Sequence, residues 1–458
     1  MTTDKKEKKV VSKMDTESRN NIHKRITPAI NDKGHLVLGG CDVGDLIKQF
    51  GTPLYALDQQ YIEYMCTALV ESVKKEYPHS LVCYASKALC CKALYQLTQK
   101  LGLGVDVASG GELFTAMAAG VDANKIYVHG NAKTANELTD CLTANVHAVV
   151  VDSLDEIEML NNLAKNHGSS ANKKQGVLVR VNPGVEAHTH AYIQTAKPDS
   201  KFGFSIESGE ALKALQFIKT KSNLELLGLH CHIGSQIFDT DAFELAVDKM
   251  TDFLAILEKK HNIMCAELNM GGGFGIIYTD ADKPLKPEVY VKNIATKLKD
   301  CIAKKGITAL KLILEPGRSI VGEAGITLYN VTSIKDIKGI RKYIAVDGGM
   351  FESPRHALYQ SKYTTTLALK ANQPKTDTVT IAGKCCESGD IIAKDVALQS
   401  AQKGDIIAVL STGAYNYSMA SNYNRNLIPP VVLCNNGKAK YIVKPQTYND
   451  LISRDEDL

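Results

Sequence analysis

The chain has 458 residues, 44% of them apolar, and a formal net charge of +4. That length exceeds one ordinary domain, so two or three are expected, and the near balance of charge excludes a polybasic footprint for nucleic acid or an anionic membrane. The twelve cysteines include two adjacent pairs, Cys90-Cys91 and Cys385-Cys386, and no CxxC spacing, which fits a reducing compartment better than a disulfide framework or a zinc site.

Residues 1–25 are rich in Lys, Asp, Glu, Ser and Asn and read as a disordered tail. The tail lacks the apolar stretch of a secretory signal, and Asp4, Glu7, Asp15 and Glu17 argue against an organelle transit peptide. No apolar run is long enough to span a membrane, so a cytoplasmic location is expected. Segment 26–57, with strand and turn character from Leu36 to Tyr55, is expected to join a β domain further on. From 58 to 322 short apolar runs alternate with amphipathic stretches. The runs end at Lys87, Ser109, Gly130, Ser153 and near Pro183, Ser235, Gly273 and Arg318, and helices are predicted over 88–101, 111–119, 134–144, 154–166, 207–219, 242–260 and 289–305. Eight parallel strands alternating with helices predict a (β/α)8 TIM-type barrel. After about residue 323 the rhythm changes to strands over 326–334, 342–346, 378–381, 405–410 and 440–444 with little helix between, which predicts a C-terminal β-sandwich or β-barrel domain over 323–458.

The polar clusters lie at the C-terminal ends of the barrel strands, where such folds build their sites. Lys87 closes the run Leu81 to Ser86; a lysine in a partly desolvated mouth can lose its proton and act as a nucleophile. Gly271-Gly272-Gly273 lets backbone N–H groups approach a phosphate closely. His230 and His232 share a strand face, but with no third ligand close by in sequence, stacking or hydrogen bonding is expected in place of metal binding. At the eighth strand end, Glu315 could face a pyridine nitrogen, and Arg318 could clamp a carboxylate through two hydrogen bonds. The β domain carries three polar stretches of its own, at Asp347 to Tyr359, Gly383 to Asp390 and Gly413 to Asn424.

Together these segments resemble the pyridoxal-phosphate-dependent decarboxylases of the alanine-racemase fold. The resemblance runs from about Gly39 to Val432 through YASK (84–87), GVDVASGGEL (104–113), HCHIGSQ (230–236), GGGFG (271–275), EPGRSIV (315–321), VDGGM (346–350), CCESGD (385–390) and GAYNYSMASNYN (413–424). Within that family it is to members that act on meso-2,6-diaminopimelate, from which loss of CO2 gives L-lysine. The resemblance implies pyridoxal 5'-phosphate as cofactor and Lys87 as its Schiff-base lysine. Asp106 would also belong to the cofactor site, His232 would stack on the ring and Glu315 would pair with the ring nitrogen. Gly234, Ser235, Gly271, Gly272, Gly273 and the backbone around Gly317 would hold the phosphate. Arg318, Arg355 and Tyr359 would read the distal carboxylate of the substrate and Glu387 its distal ammonium. Tyr415 would touch cofactor or substrate, and Cys386 would protonate the carbanion carbon. Family members act as head-to-tail dimers, so Cys386 and Glu387 would enter the partner's barrel.

Cysteine, with an unperturbed pKa of roughly 8.5, can serve as an acid at neutral pH. The pattern departs from the family at Ala132, where asparagine is common, and in the loop Phe351 to Ser353 and at His356. An alanine racemase would carry arginine in place of Glu315. An ornithine-type decarboxylase would favour acids where Arg318 and Arg355 stand. Retention of Lys87, Cys386 and Glu387 together argues against a non-catalytic member.

Overall fold

The computed structural model describes residues 22–167, 174–185 and 200–458. The expected tail over residues 1–21 therefore lies outside the described residues. The chain is packed from Ile22, which bridges to Leu285, so residues 22–25 belong to the fold. His23 is buried, with Nε2 3.2 Å from Glu323 Oε1, and Arg25 donates to the Ile277 carbonyl.

Eight parallel strands, Ser80–Ala85, Gly104–Val107, Ile126–Val128, Ala148–Val151, Gln175–Asn182, Leu224–His230, Glu267–Asn269 and Lys311–Leu314, pair in sequence order. The eighth pairs back to the first, so the barrel is closed. Inward-facing Cys83, Tyr127, Ala148, Val150, Leu178 and Ile313 fill its interior, as the two-residue side-chain period requires. The outer faces pack on the helices in one large apolar cluster. Several helices are capped where a strand hands over to them: the side chains of Ser109, Thr134 and Ser153 accept from the backbone N–H groups of Glu112, Glu137 and Glu156. The handover fixes the strand ends that form the barrel mouth.

The second unit is a β domain built on Gly325–Ile337, which pairs with three other strands. Strand Leu54–Asp58 lies in it, antiparallel to Gly325–Ile337 and parallel to Val431–Asn435. The segment expected to be strand and turn also holds a helix, Val43–Phe50. Asp42 caps it through Gly44 N–H, and Val43, Leu46, Ile47 and Phe50 form its apolar stripe, an i, i+3, i+4, i+7 pattern present in the sequence. Strands Thr365–Leu367, Ile391–Leu398 and Val431–Asn435 were not expected from the sequence. Among the described residues no helix is long and apolar enough to cross a membrane.

At the N-terminal end of the barrel, Glu267 accepts from Tyr127 Oη at 2.9 Å and lies 2.8 Å from His147 Nε2 and 3.2 Å from Lys311 Nζ. Burial raises the Glu267 carboxyl, but the bond and charge of His147 and the charge of Lys311 outweigh it and hold its pKa below the usual value. A depressed carboxylate stabilises the fold above its unfolded pKa and loses that contribution as pH falls through the folded one. Glu267→Gln should therefore cost about 1–3 kcal/mol at neutral pH and less below about pH 4. Denaturant melts at both pH values check this; an equal loss at both would exclude the charge as its origin.

Candidate active site

Lys87 sits in the one-turn 3-10 helix Ser86–Ala88 that leaves the first strand. Ser86 and Ala88 are buried, while Lys87 is exposed at the mouth. The expectation of a partly desolvated lysine does not hold for the single chain, because the turn carries Lys87 clear of the packed wall. Ser86 Oγ donates to the Asp106 carbonyl and anchors this turn to the second strand. The Lys87 charge acts on Asp106, Glu112 and His232, which share the mouth. Burial raises the Asp106 carboxyl above its ordinary range against the pull of His129. Burial, with the charges of Lys87 and Arg180, holds the half-buried His232 well below the ordinary histidine value, so its ring is neutral.

Glu315, 6% exposed, has both carboxylate oxygens bonded. Its Oε1 lies 2.8 Å from His129 Nε2 and accepts from Asn269 Nδ2 at 2.5 Å, and its Oε2 lies 3.2 Å from His230 Nε2. The two histidine rings meet edge to face at 4.7 Å. Burial alone raises the carboxyl, but His129 by charge and hydrogen bond, together with the His230 bond, holds it well below the usual range. Burial lowers His129 too, yet Asp106 and Glu315 raise it further. Burial takes His230 down to about 3, so it is a neutral donor to Oε2. One ligand atom from each of His129, His230 and Glu315 falls within 4.8 Å of the others, near enough for a cation, but these atoms already pair as acid and base.

The glycine loop packs the ends of three strands together. A Cβ on Gly272 would stand 2.1 Å from the Glu315 carbonyl oxygen, and one on Gly273, at φ 111°, would stand 2.3 Å from the Gly234 carbonyl oxygen. Only glycine allows this approach. Gly271 N–H donates to Asn269 Oδ1 and its carbonyl accepts from Glu315 N–H, so the loop and the Glu315 carboxylate are one rigid unit. Gly317 packs on the Lys87 turn, where a Cβ would meet Ala85 Cβ at 2.9 Å. Tyr415, from the β domain, donates its N–H to the Ala88 carbonyl at 2.8 Å. A backbone cradle for an anion and an ionised carboxylate fixed beside it fit a pyridine ring that carries a phosphate.

Beside the cradle two arginines, each 7% exposed, converge. Arg318 donates to Tyr278 Oη and through Nε and Nη2 to Ser235 Oγ at 3.2 and 2.9 Å. Arg355 donates to Tyr278 Oη at 3.0 Å and to Tyr363 Oη at 2.9 Å. The Arg318 guanidinium lies 4.6 Å from the Tyr415 ring centroid and that of Arg355 5.9 Å. The structure thus brings Arg318, Arg355, Ser235 and Tyr415 together.

Three of the expected residues stand apart from this cluster. Tyr359, at the end of the short helix Arg355–Tyr359, is 36% exposed, and its hydroxyl makes no hydrogen bond among the described residues. Cys386 and Glu387 are exposed on a β-domain loop. The Cys386 N–H donates to Asn424 Oδ1 at 3.0 Å, and Glu387 accepts from Tyr423 Oη, so the segment after Tyr415 braces this loop.

His129, Asn269, Arg180, Tyr278 and Tyr363 were not assigned a role from the sequence. For the first three a signal existed: each lies at a barrel-strand end in register with inward-facing residues. Tyr278 and Tyr363 lie in loops, where no periodicity marks them. Ala132, the departure from the family pattern, adopts φ 58°, a left-handed conformation that asparagine tolerates better.

A family model described as pyridoxal-dependent decarboxylase, pyridoxal binding domain, matches residues 66–322. The diaminopimelate decarboxylase of Bacillus subtilis is 45% identical over 425 residues, 93% of this chain and 96% of that protein. That of Synechocystis is 44% identical over 94% of this chain and 92% of its own length. The crystal structure of the M. jannaschii diaminopimelate decarboxylase in complex with L-lysine superposes with a TM-score of 0.86 at 35% identity, covering 95% of this chain and 98% of that one. The chain belongs to the pyridoxal-dependent decarboxylases: it is a carboxy-lyase whose cofactor is pyridoxal 5'-phosphate. Within them it is a member of the diaminopimelate decarboxylase family.

Gly272→Ala forces the loop away from Glu315, an overpacking cost of about 1–3 kcal/mol. The variant is expected to fold but to retain less pyridoxal phosphate after dialysis, read from the visible cofactor absorbance per chain.

Proposed function

We propose that this chain converts meso-2,6-diaminopimelate to L-lysine and CO2, in a head-to-tail homodimer whose sites each draw residues from both subunits. The arginine pair carries the reading. Among the described residues neither Arg318 nor Arg355 has a carboxylate of the chain within ion-pair distance. Two buried guanidiniums that lack an anionic partner are costly, and a substrate with a second carboxylate supplies that partner. Ornithine ends in an amine and would add a third positive charge.

In this reading the cofactor, when bound, supplies the electron sink for the bonding pair that departing CO2 leaves behind. Lys87 provides the amine that holds it. Glu315, kept ionised by His129, holds a proton at the ring nitrogen. His232, neutral, lies against the ring, with Asp106 close to Lys87. The backbone of Gly234 and of Gly271 to Gly273, with that around Gly317, binds the phosphate. Ser235 Oγ, which accepts from Arg318, still has its own proton to donate there. Arg318, Arg355 and Tyr359 orient the distal carboxylate, and Tyr415 covers them. Glu387 of the partner subunit binds the distal ammonium, and Cys386 of the partner subunit delivers the proton to the carbon that loses CO2. The exposure of both residues on a braced loop supports their use in another chain's site.

CO2 release measured side by side should be rapid from meso-diaminopimelate and negligible from ornithine and lysine; ornithine turnover of equal size would sink the substrate assignment. Lys87→Ala should abolish turnover and the visible cofactor band. Mixing Lys87→Ala with Cys386→Ala subunits, each inactive alone, should restore up to about a quarter of wild-type turnover, because half the dimers then hold one intact site. No recovery in exchanged dimers would exclude the shared site.

A further inference from the structure

We propose that Tyr278 is a positioning residue for substrate selection: its phenol oxygen gathers Arg318 and Arg355 into a single receptor for the distal carboxylate. The proposal rests on the substrate reading above and extends it to a side chain outside the arginine pair.

Tyr278 lies just beyond the glycine loop and is 7% exposed. Its Oη is the one acceptor that both guanidiniums share, taking Nη1 of Arg318 and Nη1 of Arg355. Both guanidiniums also lie over its ring, at 5.6 and 5.2 Å from the centroid. The backbone around it is fixed. Tyr278 N–H donates to Asp282 Oδ2 at 3.0 Å, and its carbonyl accepts from Thr364 N–H and Oγ1 at 3.0 and 2.8 Å. Its ring meets Tyr363 edge to face at 5.3 Å.

Like charges repel, and neither arginine reaches a carboxylate of the chain, so some group has to hold them on one side of the site. Tyr278 does so with electron-rich surface on two counts, a lone-pair oxygen and a π face. Burial raises the phenol, but the charges of Arg318 and Arg355 and their hydrogen bonds outweigh it and bring it below the ordinary tyrosine value. The oxygen accepts from both guanidiniums and so occupies, before substrate arrives, the place between them that a carboxylate can take. Ser235 steadies Arg318 from one side and Tyr363 steadies Arg355 from the other; the Tyr415 ring faces both guanidiniums, and among the described residues Tyr278 alone links the two by hydrogen bonds.

Removing one oxygen that accepts from two cations should weaken carboxylate binding about tenfold to a hundredfold. The interaction lies at the end of the substrate remote from the scissile bond, so KM should rise while kcat stays within about twofold. Tyr278→Phe is the variant, measured with full cofactor loading checked by absorbance. L-lysine keeps the distal carboxylate and cadaverine lacks it. The inhibition constant of L-lysine should rise with KM, and that of cadaverine should not. Unchanged KM, or equal weakening of L-lysine and cadaverine, would overturn the proposal. If Tyr278→Phe fails to fold, a fluorotyrosine at position 278 keeps the hydroxyl: its fluorine resonance should move on adding L-lysine and stay put with cadaverine, and any other pattern overturns the proposal. Absence of wild-type turnover of meso-diaminopimelate would overturn the substrate reading and this inference with it. Wild-type turnover with an unchanged KM in Tyr278→Phe would overturn this inference alone.

Discussion

A carboxylate removed from water protonates unless cationic or hydrogen-bonding partners hold it ionised, and much of the barrel mouth is arranged around that requirement at Glu315. Its two oxygens are held by His129, His230 and Asn269, from the third, sixth and seventh barrel strands, while Glu315 itself follows the eighth. Only a closed parallel barrel delivers four such strand ends to one point with all side chains facing inward. Asp106, from the second strand, faces His129 as well, and the two carboxylates together raise the His129 pKa against its burial. Ring closure and the ionisation state of Glu315 are therefore one problem solved once.

The β domain adds what the barrel lacks. The barrel supplies Glu315, the glycine cradle and Arg318, but Arg355, Tyr363 and Tyr415 come from beyond residue 323. Contact between the units is close: a Cβ on Gly413 would stand 1.8 Å from the Val321 carbonyl oxygen, and Tyr415 bonds the turn that carries Lys87. The strand Leu54–Asp58, from the start of the chain, is built into the same sheet. The chain thus enters the β domain, makes the barrel, and returns, which ties the arginine cluster to the lysine turn through backbone on both sides.

What the sequence discloses and what it hides divide along the range of the interactions. The eight strands and their helices are legible because each is a local pattern: an apolar run, a cap such as Ser109 or Ser153, an amphipathic stretch. Glu315, Arg318 and the three glycines stand out because they are unusual residues at strand ends. Strand Ile391–Leu398 is hidden, since Lys394 and Asp395 interrupt its apolar run and leave no clean alternation. His129 is hidden as a partner of Glu315 because 186 residues separate them, and no periodicity reports a contact across a barrel. Tyr278 is hidden for a second reason. Its importance lies in two arginines that converge on it from different domains, so its own neighbours in sequence say nothing about it.

The arginine pair also explains selectivity in terms of energy already present in the free chain. Two guanidiniums held together without an acid raise the energy of the unliganded site, and a ligand carboxylate relieves that cost on binding. A ligand that ends in an ammonium relieves nothing and adds repulsion. Discrimination between the two therefore comes as much from penalising the wrong ligand as from attracting the right one. An aspartate in place of Tyr278 would cancel one of the two charges and compete with the substrate's carboxylate for the guanidiniums. A phenol is the compromise: it holds the charges together while leaving them incompletely neutralised, so that the substrate's own carboxylate remains the better partner.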